Sequence, residues 1–310
     1  MPASTPPSRI LLTGATGAIG GRLLPELLGG GAPVRALVRD PIRAALPPEV
    51  ETVRGDIFAG EGLDDALEGV DVAYYLVHAM GRGNTGDFEQ LDRHGANLFG
   101  LAAEKAGVRR IVYLGGLDGA GAEESHHLQS RAEVAALLER HVPEFVHARA
   151  AMVVDSTSQS FVILRNLVKR LPVMIGPRWV TTRSQPIAAS DVVRALRALG
   201  ELDGVAGEVQ LGGAEAHEYR ELIDLTAEAM GRRPPPMVPV PFMTPRLSSL
   251  WVSLFGGVEY PLVRPLVEGL RAEMVVTEAP PAGVNDHPLA FRDAVREALA
   301  GEAAARATVG

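Results

Sequence analysis

The chain is notable first for what it lacks. None of its 310 residues is cysteine, which excludes a disulfide framework and a thiolate metal site, and its histidines form no His-Glu-x-x-His pattern, so no metal is expected. No Lys/Arg cluster alternates with aromatic residues, and the formal net charge is −8, which argues against nucleic acid as a partner. No apolar run reaches the length of a membrane span, and residues 1–8 lack the features of a secretion signal. A cytoplasmic location is therefore expected.

What the chain does contain is a regular alternation of short apolar runs and helical patterns over its first 150 residues. Runs buried on both faces of a parallel sheet read as near-continuous apolar segments, and the crossovers between such strands are helices. The predicted strands are 9–13, 34–38, 51–54, 70–77, 110–114 and 144–148. The predicted helices between them are 20–28, 63–67, 87–106 and 130–140. This pattern predicts an α/β fold with a doubly wound parallel sheet.

The remainder of the chain is less regular. It predicts helices over 161–170, over 190–199 with Ser190 as N-cap, and over 218–230 with Gly231 as its end. A strand is predicted over 208–211, an extended proline-rich connector over 234–245, and a long apolar stretch over 247–273. The predicted organisation is a flexible N-terminus (1–8), a dinucleotide-binding domain (9–155), a smaller, mainly helical substrate-binding or cap region interleaved with the sheet edge (156–297), and a fraying tail (298–310).

The most informative motif is a glycine-rich turn between the first strand and the first helix. It reads Thr13-Gly14-Ala15-Thr16-Gly17-Ala18-Ile19-Gly20. Gly14 permits a sharp turn, Gly17 lets the backbone approach a pyrophosphate, and Gly20 lets helix and strand pack closely. The predicted phosphate contacts are Gly14, Thr16, Gly17, Ala18, Ile19 and Gly20, at a helix N-terminus that favours anions. The alternative is an ordinary glycine turn.

The end of the second strand indicates which dinucleotide binds. Arg39 and Arg43 stand where NAD-specific sites usually place an acidic residue, and a guanidinium suits a 2′-phosphate. NADP(H) is therefore preferred over NAD(H), although Asp40 can instead point at the ribose and the two arginines can be ordinary surface charges. Two further groups of residues are assigned to the cofactor. These are Asp56 and Ile57 near the adenine, and Leu76, Val77 and His78 along the path to the nicotinamide. The alternatives are a turn cap for Asp56 and a structural role for His78.

The chain resembles the extended and atypical short-chain dehydrogenase/reductase superfamily, and within it the NmrA-like, YbjT-like branch. The glycine-rich turn, Gly55-Asp56-Ile57, residues 70–77 and residues 110–116 carry the wider resemblance. The closer one rests on residues 74–81, 127–131, 149–153 and 171–174. The resemblance implies a Tyr-x-x-x-Lys pair and a Ser or Thr at the end of the fifth strand. His127 and Arg131 occupy the positions of the pair here, and residues 114–117 contain no hydroxyl.

The departures from the family pattern leave His127 and Arg131 as the predicted catalytic residues. An imidazole titrates near neutral pH and can donate a proton, whereas a guanidinium can hold a ribose or phosphate but does not act as an acid. The alternative is that both residues only line a binding site. Ser156, Trp179 and Arg183 are predicted substrate contacts, and residues 247–267 form a pocket cap, a core helix or a dimer face.

The resulting functional hypothesis is an NADP(H)-dependent oxidoreductase. Its substrate is expected to be a hydrophobic small molecule with a carbonyl or activated alkene. If residues 247–267 cap the pocket, the substrate is large and apolar, such as a polyketide, a terpenoid or a quinone. Two alternatives stay open. One is a non-catalytic NAD(P)-binding redox sensor or assembly protein, and the other is a redox-neutral isomerase or cyclase. A homodimer is also left open.

Overall fold

The architecture is a parallel sheet with helices on both faces. The computed structural model describes residues 7–79, 88–117, 126–176, 178–240 and 272–309. The central strands are β1 (Ile10–Thr13), β2 (Val34–Val38), β3 (Glu51–Arg54), β4 (Val72–Tyr75), β5 (Arg110–Gly116), β6 (Glu144–Ala150) and β11 (Gly207–Leu211). They form one seven-stranded sheet in the order β3-β2-β1-β4-β5-β6-β11, with every pair parallel. From β1 the chain adds β2 and β3 on one side of the sheet and then β4, β5 and β6 on the other. The gap between β1 and β4 is therefore the reversal point of the strand order, and parallel sheets bind their ligands at such a point.

Two helical layers cover this sheet. The helices that alternate with the first six strands are α1 (Gly20–Gly29), α2 (Pro41–Ala44), α3 (Leu63–Leu67), α4 (Phe88–Ala106) and α5 (His126–Glu139). A later helix, α7 (Ala189–Glu201), returns to the sheet and shares a buried apolar cluster with α1. The opposite face is packed by α3, α4 and α5. The strands are apolar on both sides because both sides are covered.

A third apolar cluster lies beyond the sheet, among the elements that follow β6. It is formed by α6 (Gln159–Arg170), α8 (Tyr219–Ala229) and α9 (Phe291–Val309). Three short ladders accompany these helices: β7 (Val153–Val154) with β10 (Ile187–Ala188), β9 (Arg183–Ser184) with β12 (His217–Glu218), and β8 (Met174–Gly176) with β13 (Met237–Pro239). A 3-10 helix spans Arg178–Thr181. None of the helices in the described ranges is long and apolar enough to cross a membrane.

The structure confirms the predicted α/β class and corrects several details. α5 begins at His126, four residues earlier than predicted. Ala188 is the N-cap of α7, and the Ser190 hydroxyl instead donates to Glu297 at 2.8 Å, because Ser190 already lies inside the helix. The predicted tail 298–310 is helical as far as Val309, because α9 continues to that residue. Most of the predicted apolar stretch 247–273 and of the predicted N-terminus 1–8 lies outside the described residues.

Candidate dinucleotide-binding site

The turn between β1 and α1 has a backbone that only glycine permits. Gly14 has φ +72°, and a Cβ there would lie 2.6 Å from the carbonyl oxygen of Leu76. A Cβ on Gly20 would lie 2.1 Å from the carbonyl oxygen of Gly14. Because neither glycine has a side chain, the backbones of β1, β4 and the start of α1 pack in direct contact. The turn therefore lies at the reversal point of the strand order.

The N-terminal end of α1 is open to an anion. Its N-cap is Ile19, which makes no side-chain cap, and the first turn contains no acidic residue. The first N–H groups of a helix have no partner within the helix, and together they give its start a positive partial charge. Gly17 donates its N–H to the carbonyl of Gly14 at 2.8 Å, so Ala18, Ile19 and Gly20 form the end to which a phosphate is the natural complement.

A cleft of about 700 Å³ opens beside this turn. It is bounded by the glycine-rich turn and by the residues that follow β2, β3 and β4. The predicted cofactor residues that line it are Gly14, Thr16, Arg39, Arg43, Asp56, Ile57, Val77 and His78. The other predicted cofactor residues do not line the cleft. Four of them lie at the start of α1: Gly17, Ala18, Ile19 and Gly20. Leu76 lies behind the turn, with its carbonyl oxygen close to Gly14. The shape and the polar ends of the strands fit a dinucleotide.

The β2 end of the cleft carries uncompensated positive charge. Arg39 and Arg43 are exposed, and within the described part of the chain neither guanidinium has an acidic partner. Asp40 stands between them, but its Oδ1 accepts the N–H groups of Ile42 and Arg43, both at 3.1 Å, and so caps α2. This cap holds the acidic side chain toward the backbone of α2.

Asp56 combines both roles that the sequence allowed. Its Oδ1 accepts the N–H of Phe58 at 3.0 Å, which closes the turn after β3, and the residue also lines the cleft. Thr13, which sequence reasoning quoted only as part of the motif, joins β1 to β4: its hydroxyl donates to the carbonyl of Tyr74 at 2.9 Å and accepts the N–H of Leu76 at 3.0 Å.

The predicted catalytic pair is only partly described. Arg131 is half-buried on α5, and its Nη1 donates to the carbonyl of Leu114 at 3.3 Å, at the end of β5. The guanidinium also hydrogen-bonds the phenol of Tyr113, whose pKa is nevertheless raised because the side chain is buried. His127 lies in the first turn of α5, and its side chain is outside the described part of the structure.

Two of the predicted substrate contacts, Ser156 and Arg183, are not among the described residues that line the cleft. Ser156 is half-buried after β7, next to Asp155, whose carboxylate pairs with Arg22 of α1 at 2.5 Å. Arg183 is exposed on β9. Trp179 belongs to the 3-10 helix, and its side chain is outside the described part. Their roles stay predictions.

No lysine replaces the one that the family's catalytic pair would supply. The sequence contains two lysines, Lys105 and Lys169. Lys105 lies in the last turn of α4 and pairs with Asp64 at 2.7 Å, and Lys169 lies in the last turn of α6. Neither is part of the cleft lining.

Comparison with known proteins agrees with this geometry. Residues 14–167, about half of the chain, match the NAD(P)H-binding family. The chain belongs to the extended and atypical short-chain dehydrogenase/reductase superfamily. The match begins at the first glycine of the turn and extends into α6, so this superfamily assignment covers the cleft described above. The cofactor class is therefore a nicotinamide dinucleotide.

Curated relatives match over a limited region. The chain is 30% identical over 132 residues to the 3 beta-hydroxysteroid dehydrogenase/Delta 5→4-isomerase of Mycobacterium tuberculosis strain H37Rv, which is 38% of this chain and 36% of the relative. It is 32% identical over 125 residues to sterol demethylase protein B of Methylococcus capsulatus, covering 37% and 38% of the two chains. The chain thus spans about a third of the length of the curated relatives it matches.

Solved structures share the whole fold. The triphenylmethane reductase of Citrobacter sp., complexed with NADP(H), aligns with a TM-score of 0.73 at 19% identity, over 93% of this chain and 99% of that one. The Bordetella bronchiseptica enzyme WbmH, in complex with NAD+, aligns with a TM-score of 0.67 at 17% identity, over 94% and 97%. Both forms of the nicotinamide cofactor therefore occur on this fold.

Proposed function

We propose that the chain is an NADP(H)-dependent oxidoreductase that reduces a carbonyl or activated alkene on a large hydrophobic substrate. The observation that carries the choice of cofactor is the pair of exposed guanidinium groups, Arg39 and Arg43, at the β2 end of the cleft. A 2′-phosphate placed there gains charge-assisted hydrogen bonds from both. Asp40, the acidic residue that would repel such a phosphate, has one carboxylate oxygen committed to the cap of α2.

The proposed chemistry is hydride transfer with a proton donor from α5. When bound, the reduced nicotinamide supplies the hydride, and the chain has to orient the substrate and deliver a proton to its oxygen or carbon. We assign the proton to His127, which stands at the tyrosine position of the family's pair. Arg131 occupies the lysine position, and its contact with the Leu114 carbonyl supports a role in fixing α5 against the end of β5.

The proposed substrate class follows the names of some of the relatives and structural neighbours, while others are named for sugars. The names of several relatives and structural neighbours refer to steroids, sterols and triphenylmethane dyes, all of which are large and apolar. We propose that the substrate of this chain is likewise large and apolar. Its polar edge would contact Ser156, Trp179 and Arg183.

One observation favours a second candidate, a dinucleotide-binding sensor without catalysis. The chain lacks the Tyr-x-x-x-Lys pair, and its two lysines both lie on other parts of the fold. Cofactor occupancy would then control affinity for a partner. Both candidate functions use the same dinucleotide cleft, and only the oxidoreductase turns over a substrate.

The choice of cofactor is tested by titrating NADPH and NADH calorimetrically into the wild type, Arg39→Ala and Arg220→Ala. Arg220 is an exposed arginine on α8 and serves as the matched control. Because one charge-assisted contact to the 2′-phosphate is lost, we expect Arg39→Ala to weaken NADPH binding about tenfold and NADH binding less than about twofold. Equal NADPH affinity in Arg39→Ala and wild type would contradict the 2′-phosphate assignment.

Turnover is tested by following NADPH oxidation against a panel of apolar ketones, enones and quinones. We expect a substrate in this panel, and we expect His127→Phe to lower kcat about 100-fold because the proton donor is lost. His126→Phe, one position earlier on the same helix, is the control and should retain activity. Tight NADPH binding with no turnover on any member of the panel would instead support the sensor.

A further inference from the structure

The chain leaving β4 runs along the cleft between two hydrogen bonds to buried side chains. Leu76 donates its N–H to Thr13 Oγ1 at 3.0 Å. Three residues later, Ala79 donates its N–H to Oδ1 of Asp92 at 2.6 Å. The two residues between these points, Val77 and His78, line the cleft. Their position is therefore set by one bond from β1 and one from α4.

Asp92 is an unusual residue for its place on α4. It shares the buried face of the helix with Ala96 and Phe99, and only 8% of its surface is exposed. Burial raises the pKa of its carboxyl, while the hydrogen bond from Ala79 and the charge of Arg131 act in the opposite direction. A buried carboxylate lowers the stability of the folded protein unless it is hydrogen-bonded. An apolar residue at position 92 would therefore make this helix face more stable, and the bond to Ala79 is the reason for an acidic residue here.

The Ala79 end of this segment lies on the nicotinamide side of the cleft. The adenosine end is defined by Arg39 after β2 and by Asp56 after β3. β4 lies on the other side of β1 from these strands, so a dinucleotide that crosses the reversal point extends over the exit of β4. The segment that Asp92 holds is thus the wall for the second half of the cofactor.

We propose that Asp92 is a positioning residue for the nicotinamide half of the cofactor: by accepting the Ala79 N–H, it fixes the course of residues 76–79 and with it the wall formed by Val77 and His78. The inference rests on the proposed dinucleotide function. It assigns Asp92 no contact with substrate or cofactor. Its effect is transmitted through the backbone of Ala79, and the essential property is an oxygen acceptor at the end of a short side chain.

The test compares two ligands that share the adenosine end. NADPH occupies the whole cleft, whereas adenosine 2′,5′-bisphosphate occupies only the β2 and β3 side. We expect Asp92→Ala to weaken NADPH binding about tenfold and to leave the bisphosphate within about twofold, because only the β4 wall loses its hydrogen bond. Asp92→Asn keeps an oxygen acceptor and should rescue NADPH binding to within about threefold of wild type.

The matched control is Asp191→Ala. Asp191 is also a buried carboxylate that accepts a backbone N–H, from Leu289 at 2.8 Å, but it lies on α7. It should leave the ratio of the two affinities unchanged. Bisphosphate binding also reports on folding, and if Asp92→Ala does not fold, Asp92→Ser, whose hydroxyl is too short to reach Ala79, takes its place.

The outcomes separate this inference from the proposed function. Equal weakening of both ligands in Asp92→Ala, an Asn variant as poor as the Ala variant, or the same change of ratio in Asp191→Ala would each overturn the positioning role while the dinucleotide function stands. Absence of binding of both ligands to the wild type would overturn the proposed function, and the inference with it.

Discussion

The buried guanidinium of Arg110 hydrogen-bonds several partners at once. Arg110 is fully buried, and its guanidinium donates to the carbonyls of Leu199 and Leu202 at 2.8 and 2.7 Å and pairs with Glu144. Such groups cost little because their hydrogen bonds are replaced within the protein. They bind distant parts of the chain together rather than performing chemistry.

His147 is a buried titratable residue with less compensation: its Nδ1 lies 3.7 Å from a carboxylate oxygen of Glu208, and its Nε2 has no hydrogen-bond partner in the described part of the chain. Its ring stacks on Tyr113 at a centroid distance of 5.2 Å, above Gly115, where a Cβ would lie 2.2 Å from Nε2. Burial lowers the pKa of His147 to about 4; Arg149 adds to the effect, and Glu208 opposes it. The folded protein therefore keeps this imidazole neutral over a pH range in which the unfolded chain protonates it.

This residue predicts a pH dependence of stability. Since the pKa falls from 6.5 in the unfolded chain to about 4 in the folded protein, the contribution is fully present above pH 6.5 and is lost as the pH falls through about 4. The lost free energy of unfolding is on the order of 3 kcal/mol. Denaturation of the wild type and of His147→Leu between these pH values should show a steeper decline for the wild type. Parallel curves would show that His147 titrates alike in both states.

At the scale of elements, helix α7 packs closely against Tyr74 of strand β4 at one glycine, Gly200. The phenol of Tyr74 donates to the carbonyl of Leu196 at 3.2 Å and lies over Gly200. A Cβ on Gly200 would be 1.9 Å from Tyr74 Oη. Tyr74 is 1% exposed and has no room to move.

Gly200→Ala is therefore expected to destabilise the protein, although alanine is the better helix former by about 1 kcal/mol. Overpacking of the buried phenol should lower the free energy of unfolding by about 2 kcal/mol. Gly29→Ala is the control, because Gly29 also lies in the last turn of a helix and a Cβ there meets nothing within 4 Å. Chemical denaturation that ranks Gly200→Ala at or above the wild type would contradict the close contact.

Elements with a repeating pattern could be predicted from the sequence, and those defined by a partner could not. The central strands are apolar runs, and α4 and α6 have clear helical spacing, so local pattern and tertiary burial agree. The ladders of β7 with β10 and of β9 with β12 are two residues long, and two residues carry no periodicity. Their pairing depends on where the surrounding helices pack.

At the scale of the whole molecule, much of the candidate site was predictable because parallel strands end at one edge. The residues after β2, β3 and β4 are far apart in sequence, yet the fold brings Arg39, Asp56 and His78 to one cleft. Asp92, the proposed positioning residue, is absent from the predicted site residues because it lies on a helix and not at a strand end. The available signal was an acidic residue at helical spacing from Ala96 and Phe99, on a face that is otherwise apolar.

The return of α7 and β11 to the sheet limits how this scaffold can be rearranged. The segment shared with the NAD(P)H-binding family ends at residue 167, but the seventh strand and the helix that covers Tyr74 come later, within residues 189–211. A recombination junction at the end of the shared segment would separate the edge strand β11 from its neighbour β6, and it would separate the Arg110 guanidinium from two of its acceptors. An exchange of the C-terminal part at residue 167 therefore has to restore both the β6–β11 pairing and the acceptors of Arg110.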